Sequence, residues 1–107
     1  MTIKLNVKER WLLRRVFAPR TISLVDNDLW DDIAQKTKFT PEEVERIDGM
    51  IPPSPEKNFS ITIELSRDQI RMLQKQVSKI NDEGTIPYDM DDDSAINLAK
   101  KILNLTV

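Results

Sequence analysis

Two stretches of this chain alternate apolar and polar residues with the two-residue period of a β-strand, and more than fifty residues separate their starts. "TIKLNV" at 2–7 sets Ile3, Leu5 and Val7 against Thr2, Lys4 and Asn6. "FSITIELS", which opens at Phe59, sets Phe59, Ile61, Ile63 and Leu65 against Ser60, Thr62 and Glu64. A lone strand leaves its backbone groups unpaired, so each needs the other or a second chain. The expected fold is therefore α+β: a two-stranded antiparallel sheet from residues 2–7 and 59–65, with about five helices supplying the rest of the core. Two strands are marginal unless helices cover one face or another chain extends the sheet, which makes a homo-oligomer an expectation.

The remaining segments read as helices. In "VKERWLLRRVF", Leu12, Leu13, Val16 and Phe17 form an apolar stripe with arginines opposite, Asn6 and Glu9 form a capping box, and Pro19 disfavours helix at Ala18. A second helix starts near Ser23 or Asn27 and runs to about Lys36, with Leu29, Trp30, Ile33 and Ala34 inward. Thr40, Pro41 and Glu43 open a short third helix that ends at Gly49. Ser66 and Gln69 cap a fourth, whose stripe is Ile70, Leu73, Val77 and Ile80 and whose terminator is Gly84. Asp93 or Ser94 caps a last helix, with Ile96, Ala99, Ile102 and Leu103 inward. "MIPPSPEKN" at 50–58 is a proline-rich extended connector inside a single domain spanning residues 1–107, because either half alone is too small to be stable.

The stretch "DLWDDIAQKTKFTPEEVERI" at 28–47 has the spacing of a helix-turn-helix, so residues 22–48 are expected to form such a unit, burying Trp30, Ile33, Val44 and Ile47. Its would-be reading helix holds Glu42, Glu43, Glu45 and Asp48 against Arg46 alone. Phosphates dominate affinity for DNA, and carboxylates at the contact oppose it. A small DNA-binding regulator is thus the runner-up, and the acidic face of Glu42, Glu43 and Glu45 suits a basic protein surface better.

Composition narrows the chemistry. Cysteine and histidine are both absent. Thiol catalysis and zinc–thiolate sites are excluded, and the commonest general base and metal ligand are missing. Two glycines leave no phosphate-cradling loop. No catalytic, cofactor-binding or metal residue is nominated, and no enzyme activity is expected. Asp89, Asp91 and Asp93 have the 1-3-5 spacing of a calcium loop, but Ser94 and Lys100 stand where it needs glycine and glutamate. The mean hydropathy of −0.44, the lack of a long apolar run and an N-terminus without an apolar core suggest a cytoplasmic protein without membrane contact.

Net charge is −2, unevenly spread. Residues 1–20 carry Lys4, Lys8, Arg10, Arg14, Arg15 and Arg20 against Glu9, a net of +5, and residues 21–58 carry a net of −5. Lys8, Trp11, Arg14, Arg15 and Arg20 are the candidate face for an anionic partner, since guanidinium groups suit carboxylate and phosphate. The opposed patches also suit self-association.

The opening "IKLNVKERWLLRRVFAP", together with "FSITIELSRDQIRMLQKQVSKINDEG", the acidic segment after it and the final helix, resembles small accessory proteins encoded by phages and prophages. Residues Thr21 to Asn58 lie outside the resemblance. It implies a non-enzymatic protein in the cytoplasm of an infected bacterium. The expected function is a binding or adaptor protein acting by protein–protein association, for example as a modulator or inhibitor of a host protein or defence system. The alternatives are the DNA-binding regulator and sequestration of a small anionic ligand such as a nucleotide.

Overall fold

The computed structural model describes residues 1–51 and 53–106; Pro52, within the proline-rich connector, and Val107 lie outside them. Among the described residues the order is β1 (Thr2–Asn6), α1 (Val7–Arg15), α2 (Leu24–Thr37), α3 (Pro41–Arg46), a 3₁₀ turn (Pro55–Lys57), β2 (Ser60–Glu64), α4 (Arg67–Asp82) and α5 (Ser94–Leu103). The two strands pair antiparallel, with Ile3 opposite Ile63 and Leu5 opposite Ile61. This register puts the apolar members of both strands on one face and leaves Thr2, Lys4, Thr62 and Glu64 on the wet face.

Helices cover the apolar face. Ile3, Leu5, Leu13, Phe17, Ile33, Leu65, Leu73, Val77, Leu98 and Ile102 belong to one buried cluster, so segments on both sides of the connector build the same core. Each such side chain contributes about 1.5–3 kcal/mol relative to exposure. The packing thus answers the marginality of a two-stranded sheet from within one chain.

Lysines close the edges of the sheet. Lys101 Nζ donates to the Lys4 carbonyl at 2.9 Å on the β1 edge, and Lys36 Nζ donates to the Glu64 carbonyl at 2.9 Å on the β2 edge. Charged side chains on exposed edges discourage another strand from adding. Extension of the sheet by a second chain therefore meets a flanking charge on both sides.

Three capping boxes stand where the sequence places them: Asn6 with Glu9, Thr40 with Glu43, and Ser66 with Gln69. In each, the third helical residue also ties its helix to a distant one. Glu9 accepts from Lys101 Nζ at 2.7 Å, joining α1 to α5. Glu43 accepts from Arg10, joining α3 to α1. Gln69 Nε2 donates to the Leu29 carbonyl at 3.2 Å and to Asp32 Oδ2 at 2.7 Å, joining α4 to α2. One side chain per helix start thus satisfies an orphan backbone donor and sets helix–helix placement.

Several local expectations are corrected. Val7 begins α1 rather than ending β1, because Asn6 turns the chain as the cap. Val44 is exposed while Ile47 is buried, since α3 is too short to bury more than its C-terminal edge. The left-handed stop of α3 begins at Asp48 (φ 55°), one residue before Gly49. Of the two starts expected for α2, Ser23 is the one observed, its hydroxyl accepting from the Asp26 N–H. The connector tightens into the 3₁₀ turn at Pro55–Lys57 instead of staying extended, as proline permits at a first helical position. Neither Asp93 nor Ser94 caps α5 by its side chain; Asp92 Oδ1 accepts the Ser94 N–H at 3.0 Å. In α5, Leu98 and Ala95 are buried and Leu103 is exposed, which rotates the stripe from the expected one.

Candidate functional site

The basic residues of α1 divide. Lys8 forms an ion pair with Asp92 and its N–H donates to Asn58 Oδ1 at 3.3 Å, so it is committed to holding the acidic segment and the connector. Trp11 is half-buried against the core, and the Arg15 guanidinium sits 5.7 Å from its ring centre. Arg14, Arg15 and Arg20 are exposed. Among the described residues, none of these three has a carboxylate within 4.0 Å. The structure therefore leaves three exposed guanidinium groups without carboxylate partners, Arg15 against the Trp11 ring, with Lys8 drawn away.

Arg10 is the basic residue of α1 that the sequence reading passes over. Its side chain is only 1% exposed. Nη1 and Nη2 grip the two Glu43 oxygens at 2.7 and 3.0 Å; Nε donates to the Thr37 carbonyl at 3.3 Å and Nη2 to the Lys38 carbonyl at 2.9 Å. The guanidinium also lies 4.2 Å from the centre of the Phe39 ring. A buried charge is tolerable only when paired and hydrogen-bonded, and every Arg10 nitrogen is. The hydrogen bonds from Arg10 hold the Glu43 carboxyl below the usual glutamate range, against a smaller opposing effect of burial. One signal could have found it: Arg10 falls three residues from both Val7 and Leu13, on the stripe that is buried.

This grip changes the acidic face. Glu43 turns inward, while Glu42 and Glu45 stay exposed. Arg46, the one basic residue of α3, stacks 4.0 Å over Phe59. In the acidic loop, the Asp91 N–H donates to Asp89 Oδ1 at 2.9 Å, and Asp92 serves Lys8 and Ser94. Among the described residues, no group of three His, Cys, Asp or Glu is placed to hold a metal ion.

A further concavity lies elsewhere. A cleft of about 980 Å³ opens between the α1–α2 linker, the first half of α2 and the second half of α4. Half-buried Trp30 and Met72 line it above fully buried Phe17 and Leu73, and Asp26, Lys75, Lys79, Asp82 and Glu83 are among its charged residues. Ile22 is part of its wall and is partly exposed; Leu24 and Val25, next in the chain, are 90% and 74% exposed. These two belong to the first turn of α2 but lie off its Ile33 stripe, so nothing in the fold covers them. Sequence reasoning missed the cleft because it forms between segments some fifty residues apart. A second hollow of about 500 Å³ lies between Asp28, Asp32 and Gln69; the hydrogen bond from Lys36, then that from Gln69, lowers the Asp32 pKa.

No helix among the described residues is long and apolar enough to cross a membrane. No protein-family model, characterised protein or solved structure matches this chain.

Proposed function

We propose that this chain is a non-catalytic binding protein that takes a segment of another protein in the α2–α4 cleft. The observation that carries the reading is the run of exposed apolar side chains Ile22, Leu24 and Val25 at the edge of an open cleft whose wall includes half-buried Trp30 and Met72. Exposed apolar side chains clustered beside charge are what protein-binding sites present. The setting we propose is the bacterial cytoplasm, as a phage-type modulator of a host protein, in keeping with the resemblance of the opening strand–helix and the β2–α4 segment. DNA reading through α3 draws less support, because Arg46 is stacked on Phe59 while Glu42 and Glu45 face outward.

Capture from a bacterial lysate on the immobilised protein tests this. The wild type should retain a protein at fixed stoichiometry, and Ile22→Asp should lose it at unchanged melting temperature. Recovery of the same proteins by both forms, or of none by either, overturns the proposal. Arg14→Ala/Arg15→Ala is the companion variant. Loss of the partner there, with Ile22→Asp retaining it, moves the site to the α1 face.

A further inference from the structure

Arg67, Arg71, Lys75 and Lys79 recur every fourth residue along α4, so they form one stripe about 18 Å long. All four are exposed, and among the described residues none has a carboxylate within 4.0 Å. Like charges at this spacing destabilise a helix. The row is unfavourable in itself, and the acids nearest to it, Asp68 beside Arg71 and Asp82 and Glu83 beyond Lys79, form no ion pair with it within 4.0 Å among the described residues. Lys75 and Lys79 also line the cleft, so the stripe flanks Trp30 and Met72.

The neighbouring helix carries the opposite surface. Leu24, Asp28 and Asp31 follow at helical spacing along α2, off its buried Ile33 stripe, with Val25 beside them and Asp28 at the rim of the second hollow. Asp28 and Asp31 are exposed and, among the described residues, have no cation within 4.0 Å. An apolar head followed by two carboxylates is the chemistry that an apolar cleft with a cationic flank would receive.

We infer that the α2–α4 pair is self-complementary and that a second copy of this chain occupies the cleft: α2 of each protomer lies along α4 of the other, Leu24 and Val25 covering Trp30 and Met72 and Asp28 and Asp31 facing the α4 stripe. The inference rests on the proposed protein-binding cleft and names its occupant. Two unlike faces on adjacent helices can both be matched in one twofold interface, because each meets the other's counterpart once. The lysine-guarded sheet edges direct association to this surface.

Sedimentation equilibrium from about 5 µM to about 500 µM protein tests the inference. The wild-type mass should rise from 12.4 kDa toward twice that value. Lys75→Glu/Lys79→Glu and Asp28→Lys/Asp31→Lys should each stay monomeric, with the circular dichroism of the wild type. An equimolar mixture of the two variants should regain the doubled mass, because reversed α4 then meets reversed α2 and the unreversed helices meet each other. A wild type that stays at 12.4 kDa throughout, or reversed variants that self-associate like the wild type, overturns it. If the wild type stays monomeric while an Ile22→Asp-sensitive partner is still captured, the protein-binding cleft stands and the second copy is not its occupant. Should a variant lose its fold, Leu24→Ser serves instead; a doubled mass unchanged by that substitution also overturns the proposal.

Discussion

Arg10 shows how one side chain can be written into a stripe of apolar residues and still be required there. Removing it leaves Glu43 and the Thr37 and Lys38 carbonyls without their donors. Arg10→Ala is expected to cost about 3–5 kcal/mol, measured by urea unfolding. Arg10→Lys should recover only a minor part, because an ammonium cannot make the two-pronged grip. The same pair sets an acid response. Glu43 binds its proton more weakly folded than unfolded, so its contribution is present at neutral pH. It is lost as the pH falls below about 4.3, the ordinary glutamate value, and through the lowered folded one. The melting temperature should fall over that range in the wild type and be flatter in Glu43→Gln. The partners are 33 residues apart, so the pairing was not legible in the sequence. Glu43 was expected in its capping box, whereas Arg10 was grouped with the arginines opposite the apolar stripe and is buried instead. What the chain order hides is which distant groups folding brings together.

At the scale of elements, helix starts and stops were legible because their physics is local. A cap is a contact over three residues, and Gly84 ends α4 with φ +68°, its N–H bonded to the Asn81 carbonyl and the Thr85 N–H to the Ile80 carbonyl. A Cβ at Gly84 would meet nothing within 4 Å, so Gly84→Ala tests the backbone alone and should cost about 1 kcal/mol in thermal unfolding. The second task of each cap residue was not legible. In an isolated capping box glutamate replaces glutamine freely. Here Gln69 Nε2 must donate to Leu29 and Asp32, and a carboxylate cannot donate. Gln69→Glu is therefore expected to lose about 1–3 kcal/mol at neutral pH, the cost of unmade buried hydrogen bonds. Equal stability of the two forms would reduce Gln69 to a cap. Val44 and Leu103 went wrong for the opposite reason: periodicity locates a stripe, but only the neighbours decide which edge of it is covered.

For the molecule as a whole, α+β with a two-stranded sheet was recoverable because only two segments alternate, and pairing them was forced. The cleft was not, since it belongs to no single element. Its walls come from the linker after α1, from α2 and from α4, and its apolar lining consists of side chains that each read as ordinary core positions. The two charge stripes were visible letter by letter, yet their meaning depends on α2 and α4 being neighbours, a fact fixed by Gln69. The central proposal is that the α2–α4 surface receives protein, a second copy first of all. Hydrogen exchange read by mass spectrometry, at about 5 µM and about 500 µM, tests it most directly. Exchange should slow with concentration in residues 21–32 and 72–83, and stay unchanged in β1 and β2. Unchanged exchange everywhere, or slowing confined to the sheet edges or α3, would contradict it.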